Sequence, residues 1–279
     1  MKKQIKLIAT DLDGTVLNQG EVSQESDIKM FEEVQKRGFK AMAVTGQSFH
    51  SASVNSKKFG FDKYFDVLAS DNGAYIAKIS THEVLRSLVI DHEVIFQLNE
   101  VLIDKADTIF LCTTSDEKVV FVNRESDEEV LKLTPGFKDG FAGKRIADIK
   151  ENDTIHNMTI ISRGEEEFAI NKILENHKDS VAGSFDFNQE GNIFYSINHI
   201  NATKATALEF VAEKFNIGLD EILIFGDGPN DIPMFELIKH SVAPANAVEQ
   251  VKGKAAHHTD SVQEGGVGNF LKKHLIEED

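Results

Sequence analysis

Asp11 and Asp13 are two carboxylates two residues apart, followed by Gly14 and Thr15. One could attack an electrophile while the other gives and takes protons, and Gly14 permits a tight turn that aims amide N–H groups at an anion. Asp-x-Asp-Gly alone also suits a calcium loop or an ordinary turn. An EF-hand needs further spaced acidic ligands ending in a glutamate, and Val16-Leu17-Asn18 does not begin that pattern. Thr45-Gly46 offers a hydroxyl and a permissive backbone to phosphate oxygens, although the pair by itself is equally a turn. Lys204 opens a helical pattern, where a cation opposes the helix macrodipole, so a role other than helix stability is expected. In Gly226-Asp227-Gly228-Pro229-Asn230-Asp231, helix capping accounts for Asp231 but leaves Asp227 unexplained. With Asp11 these two acids would make an oxygen-rich pocket that suits a small hard cation.

These residues act together only if the fold gathers them. Ile5 to Ala9 is a short apolar run that stops at Asp11 and reads as a buried strand. Ile28, Phe31 and Val34 recur at helical spacing, Gly38 suits a helix stop, and Phe39 to Val44 is a second apolar run ending at Thr45-Gly46. The same order returns late in the chain. Thr203 to Phe215 carries Leu208, Val211, Ala212 and Phe215 on one helical face, and Glu221 to Phe225 runs into Gly226-Asp227. Alternating strands and helices imply an α/β fold, a Rossmann-like doubly wound parallel sheet that binds ligands beyond the carboxyl ends of its strands. The middle has another texture. Thr108 to Thr113 and Lys118 to Asn123 form a hairpin pattern around Ser115-Asp116-Glu117, Ile155 to Ser162 a strand, and Glu166 to His177 a helix after Gly164. Phe185 to Phe187 and Ile193 to Tyr195 flank a second turn, Gln189 to Asn192. A separate α+β domain over 81–189 is therefore expected within a catalytic core formed by 1–80 and 190–279.

Composition narrows the partners. The 279 residues are 41% apolar, enough for one large or two medium cores, and the formal charge of -16 would repel a nucleic-acid backbone. Asp11 and Asp13 interrupt the stretch after Met1-Lys2-Lys3 before a signal peptide could form, and no run reaches the length of a membrane span. The single cysteine, Cys112, fits a reducing compartment and reads as a small buried hydrophobe, so a cytoplasmic protein is expected. His257 and His258 are adjacent, lack acid or cysteine at zinc spacing, and read as surface residues. The 20 phenylalanines are spread at core-like spacings and read as packing.

Taken in order, Asp11-Leu12-Asp13-Gly14-Thr15, Thr45-Gly46, Lys204 and Gly226 to Asp231 resemble the four motifs of the haloacid dehalogenase superfamily. Asp71-Asn72-Gly73-Ala74 and the long insertion after it are similar to the Cof-type subgroup, with its type IIB α/β cap between the second and third motifs. Ala243 to Ala247 and Glu264 to Gly268 look like the family's closing segment. The resemblance implies a magnesium-dependent phosphatase. In it Asp11 is nucleophile and metal ligand, and Asp13 is general acid/base and lends its carbonyl to the metal. Asp227 and Asp231 complete the metal site, the latter directly or through water. Leu12 N–H, Thr45, Gly46, Lys204 and Asn230 would hold the phosphoryl oxygens. Mg2+ and Lys204 would screen the repulsion between an anionic nucleophile and a phosphate dianion. Two departures stand out: Gln47 replaces an arginine common after Thr-Gly, and Ala205 follows Lys204 where glycine is frequent. The implied substrate is a small phosphate ester, with phosphosugars the favoured class. The competing readings are a phosphomutase of the same fold, a silent phosphometabolite sensor, and a signalling receiver domain. The receiver is disfavoured because the lysine precedes the last acids and because the insertion is large.

Overall fold

The computed structural model describes residues 4–18, 21–22, 24–105, 108–115, 119–123, 142–163, 165–187 and 193–277. The first strand, β1 (Leu7–Thr10), is buried at every position, as a strand covered on both faces must be. A two-stranded ribbon follows, β2 (Leu17–Asn18) against β3 (Glu21–Val22). Helix α1 (Glu25–Lys36) buries Phe31 and Val34 and returns the chain to β4 (Lys40–Val44), parallel to β1. Helix α2 (Phe49–Phe59) leads to β5 (Val67–Ser70), parallel to β4. The sheet then departs from the doubly wound plan: β6 (Tyr75–Lys78) runs antiparallel to β5, and β7 (Val84–Ser87) forms the edge.

The inserted segment has its own architecture. Helix α3 (His92–Leu102), β8 (Ile109–Thr113), β9 (Val119–Val122), β10 (Ala142–Arg145), β11 (Asn157–Ser162), α4 (Glu167–Asn176), β12 (Val181–Phe187) and β13 (Ile193–His199) follow in chain order. The six strands form one sheet in the order β10-β9-β8-β11-β13-β12. Ile95, Leu98, Phe110, Met158, Ile170 and Ile197 pack in its core together with Cys112. Burial pushes the Cys112 thiol well up from its ordinary range, in keeping with a packing role. Glu166, in the acidic run before α4, is buried and accepts from the hydroxyls of Thr108 (3.1 Å) and Ser162 (2.6 Å). Of the expected turns, Asp116 and Glu117 of the first and Gln189 to Asn192 of the second lie outside the described residues, as does Gly164.

After the insertion, α5 (Lys204–Phe215), β14 (Ile222–Phe225), α6 (Ile232–Leu237), β15 (His240–Pro244), α7 (Glu249–Lys252), β16 (His257–Thr259) and α8 (Gly266–Leu271) complete the large sheet and its cover. Its order is β16-β15-β14-β1-β4-β5-β6-β7, with β1 parallel to both β14 and β4. The carboxyl ends of β1, β4 and β14 therefore share one edge at the point where the strand order reverses, the usual ligand site of such sheets. His257 is half-buried in the edge strand against the Phe270 ring, at 5.7 Å, whereas His258 is exposed, so only His258 is the surface residue expected.

The chain divides into two compact units. One takes in the chain up to Gln47, Ala52–Arg86 and the chain from Thr203; the other takes in Ser48–Ser51 and Ser87–Ala202. The boundaries expected at 80/81 and 189/190 fall inside hairpins. The polar stretch near Ser80 is the turn between two strands of the large sheet, and β12 and β13 pair with each other in the small one.

Asp27 in α1 is fully buried; Oδ1 accepts from the Gly268 amide at 2.6 Å, and Oδ2 has no hydrogen-bond partner. Burial raises its carboxyl from 3.8 to about 6, against the pull of that amide. The folded state therefore binds this proton more tightly than the unfolded chain, and stability falls as pH rises from about 4 to about 6. Asp27→Asn keeps the acceptor and removes the titration. The difference in urea-unfolding free energy between variant and wild type is expected to shift in the variant's favour across that window, by on the order of 2 kcal/mol. A flat difference would show that Asp27 does not titrate there.

Candidate active site

β1 delivers Asp11 to the sheet edge, where the Asp11 amide donates to Phe225 O of β14 at 3.0 Å and ties the two strand ends together. Asp11 is buried at 6% exposure. Lys204 is placed by the start of α5, whose cap Thr203 accepts from the Thr206 amide at 3.1 Å and so fixes the first turn. The Lys204 ammonium, 1% exposed, lies 2.8 Å from Asp11 Oδ1 and 2.5 Å from Asp231 Oδ1. A buried cation between two buried carboxylates explains a lysine at a helix start. Burial would lower the ammonium, but Asp11 and Asp231 outweigh it and hold it above its ordinary value.

Both Asp231 oxygens are hydrogen-bonded. Its Oδ1 accepts from the Lys204 ammonium, and its Oδ2 accepts the amides of Asp227 (2.8 Å) and Gly228 (2.9 Å). It clamps the loop that carries Asp227. Asp227 Oδ1 accepts from the Thr15 hydroxyl at 2.7 Å. Gly14 has φ 80, and a Cβ there would collide with the Asp227 carboxylate, so the turn after Asp13 requires glycine on two counts. Asn246 donates to Gly14 O at 2.7 Å and accepts from the Val262 amide at 2.8 Å, bracing that turn from the far end of the sequence.

Carboxylate oxygens of Asp11, Asp227 and Asp231 all lie within 4.8 Å of one another. Burial raises the Asp11 carboxyl to about 8, with Asp231 and Asp227 adding to the rise and Lys204 opposing it. Burial raises Asp227 to about 6, against the Thr15 hydrogen bond. Clustered oxygens whose ionisation is opposed by burial and mutual repulsion are a donor set that fits a hard divalent cation. The Asp13 carboxylate stands outside this trio and is exposed; Gln47 Nε2 donates to its Oδ2 at 2.5 Å.

Thr45 follows β4 and is buried, and its hydroxyl oxygen accepts from the Gln47 amide at 3.1 Å. Asn230 Nδ2 donates to Asn72 Oδ1 at 3.0 Å, and both side chains border Gly46, 3.4 to 3.6 Å from where a Cβ would stand. Leu12 is buried while its carbonyl accepts the amides of Val16 and Leu17. The lysine, hydroxyl, side-chain amides and acids thus meet at the edge of one unit, an arrangement suited to receiving a phosphate group.

Residues 8–271 match the model of a family described as haloacid dehalogenase-like hydrolases. The chain belongs to that family. Among curated relatives, the 5-amino-6-(5-phospho-D-ribitylamino)uracil phosphatase YcsE of Bacillus subtilis is 29% identical, over 98% of this chain and 96% of its own. Among solved structures, a haloacid dehalogenase-like hydrolase from Bacteroides thetaiotaomicron superposes with a TM-score of 0.82 at 21% identity, over 96% of this chain and 99% of that one. The sugar phosphatase BT4131 of haloacid dehalogenase subclass IIB superposes with a TM-score of 0.75 at 22% identity, over 96% and 98%. In this hydrolase Thr15, Asn72 and Asn246 join the site; the sequence places each within a quoted motif or segment but assigns none of them an individual role. Thr15 could have been found as the hydroxyl that follows the Asp-x-Asp-Gly turn. Asn246 could not, because the turn it braces is 232 residues away.

Proposed function

We propose that this chain, a haloacid dehalogenase-type phosphoric monoester hydrolase of the Cof type, cleaves a small phosphorylated metabolite through an aspartyl-phosphate on Asp11. The observation that carries the proposal is the buried Asp11–Lys204–Asp231 arrangement, with Asp227 beside it. Asp11, Asp227 and the Asp13 carbonyl would hold magnesium, with Asp231 joining directly or through water, and the bound ion would supply Lewis-acid charge neutralisation. Lys204 neutralises Asp11 and offers its remaining proton to a phosphoryl oxygen. Thr45, the Gly46 and Leu12 amides and Asn230 fix the other oxygens. Asp11 attacks phosphorus, the bond to the leaving oxygen breaks, and Asp13 protonates that oxygen; Asp13 then takes a proton from the water that releases phosphate.

The relative's phosphoribityl substrate and the subclass IIB sugar phosphatase favour a phosphorylated sugar or sugar alcohol. The inserted unit is the proposed selector, because none of the four motifs lies within it. Among the described residues no helix is long and apolar enough to cross a membrane. A cytoplasmic location is part of the same proposal.

The test is hydrolysis of p-nitrophenyl phosphate and benzyl phosphate with magnesium, with EDTA, and by Asp13→Asn. Activity is expected only with the cation. An alkoxide needs a proton more than a nitrophenolate does, so Asp13→Asn should lose about 100-fold or more on benzyl phosphate and much less on the nitrophenyl ester. Equal losses would remove Asp13 as the proton donor, and full activity in EDTA would remove the metal.

A further inference from the structure

The structure gives the Gln47 side chain two polar partners. Its Nε2 donates to Asp13 Oδ2 at 2.5 Å, and its Oε1 accepts from Asn55 Nδ2 in α2 at 3.0 Å. A carboxylate can only accept, so the Gln47 amide must turn its nitrogen to Asp13, and Asn55 locks that orientation by donating to the oxygen. Asp13 is itself exposed, in a turn whose neighbouring Leu12 and Thr15 are buried.

We propose that Gln47, held by Asn55, is the positioning residue that aims the Asp13 carboxyl at the leaving-group oxygen; this rests on the reading of Asp13 as proton donor. With Oδ2 occupied by the amide, the transferable proton resides on Oδ1. As the P–O bond breaks, its electron pair stays on the leaving oxygen, which takes the Oδ1 proton. Asp13 is left as a carboxylate whose Oδ2 is already hydrogen-bonded. A neutral amide restrains the carboxyl without placing a full positive charge beside it, as an arginine would. The inference separates two functions at the second motif: Thr45 and Gly46 face the phosphoryl group, whereas Gln47 serves the proton.

Gln47→Met keeps length and apolar volume and removes both hydrogen bonds. The variant should lower kcat on benzyl phosphate about tenfold, leave kcat on p-nitrophenyl phosphate nearly unchanged and alter neither KM by more than about twofold. Asn55→Ala should give a smaller loss in the same direction. In an Asp13→Asn background Gln47→Met should add nothing, since the group it aims is gone. Equal losses on both esters, a change mainly in KM, or additive losses in the Asp13→Asn background would overturn the proposal. Asp13→Asn measured alone separates the two failures: if it does not discriminate between the esters, the proton-donor reading falls and this inference falls with it.

Discussion

Asp11→Asn is expected to lose turnover by on the order of 10⁴-fold or more while the protein stays folded. The reason is chemical rather than structural. An amide cannot act as the oxygen nucleophile, yet it keeps an acceptor for the Lys204 ammonium, now 2.8 Å from Asp11 Oδ1. Burial already opposes the Asp11 charge and raises the carboxyl to about 8, so neutralising the residue relieves a cost of the fold. The variant should therefore unfold in urea at the same or a higher midpoint, in magnesium-free buffer, while its hydrolysis of p-nitrophenyl phosphate disappears. A folded Asp11→Asn protein with substantial activity would transfer the nucleophilic role elsewhere.

Lys204→Met should differ in kind, harming both activity and stability. The ammonium lies between two buried carboxylates at 2.8 and 2.5 Å, and removing one partner of a buried ionic group leaves the others uncompensated. A loss of about 3 kcal/mol or more in unfolding free energy is expected, with turnover reduced by about 10³-fold. A second substitution separates the effects. Adding Asp231→Asn to Lys204→Met removes one of the stranded charges and should recover part of the stability, yet no activity, because the phosphoryl group still lacks its cation. If Lys204→Met proves as stable as wild type, the three charges are not the buried network seen here; if it retains wild-type kinetics, Lys204 has no part in phosphate binding.

The sheet and its chemistry were legible because both are local patterns. β1, β4 and β14 are short apolar runs, each ending at a chemically suggestive pair or cluster, and a parallel sheet must bring such ends to one edge. Lys204 stood out because a lysine opposes the dipole of the helix it begins. What escaped depends on pairing between distant segments. The β6 and β12–β13 hairpins could not be allotted to one sheet or the other from alternation alone, so both domain boundaries fell inside hairpins. Asp231 reads from the sequence as a metal-site residue; its hydrogen bonds to Lys204 and two backbone amides are contacts that composition does not reveal. Gln47 is visible in the sequence only as a departure from a pattern; its partner is the side chain of Asp13, 34 positions earlier.

The measurement that tests the account most directly is rapid acid quench of the enzyme during turnover of p-nitrophenyl phosphate with magnesium, followed by peptide mass analysis. A phosphoryl adduct is expected on the peptide carrying Asp11, stable in acid, released by hydroxylamine, formed within the first turnover and absent from Asp11→Asn. Steady hydrolysis with no adduct at any quench time under conditions where its breakdown is rate-limiting, or an adduct on another residue, would contradict it.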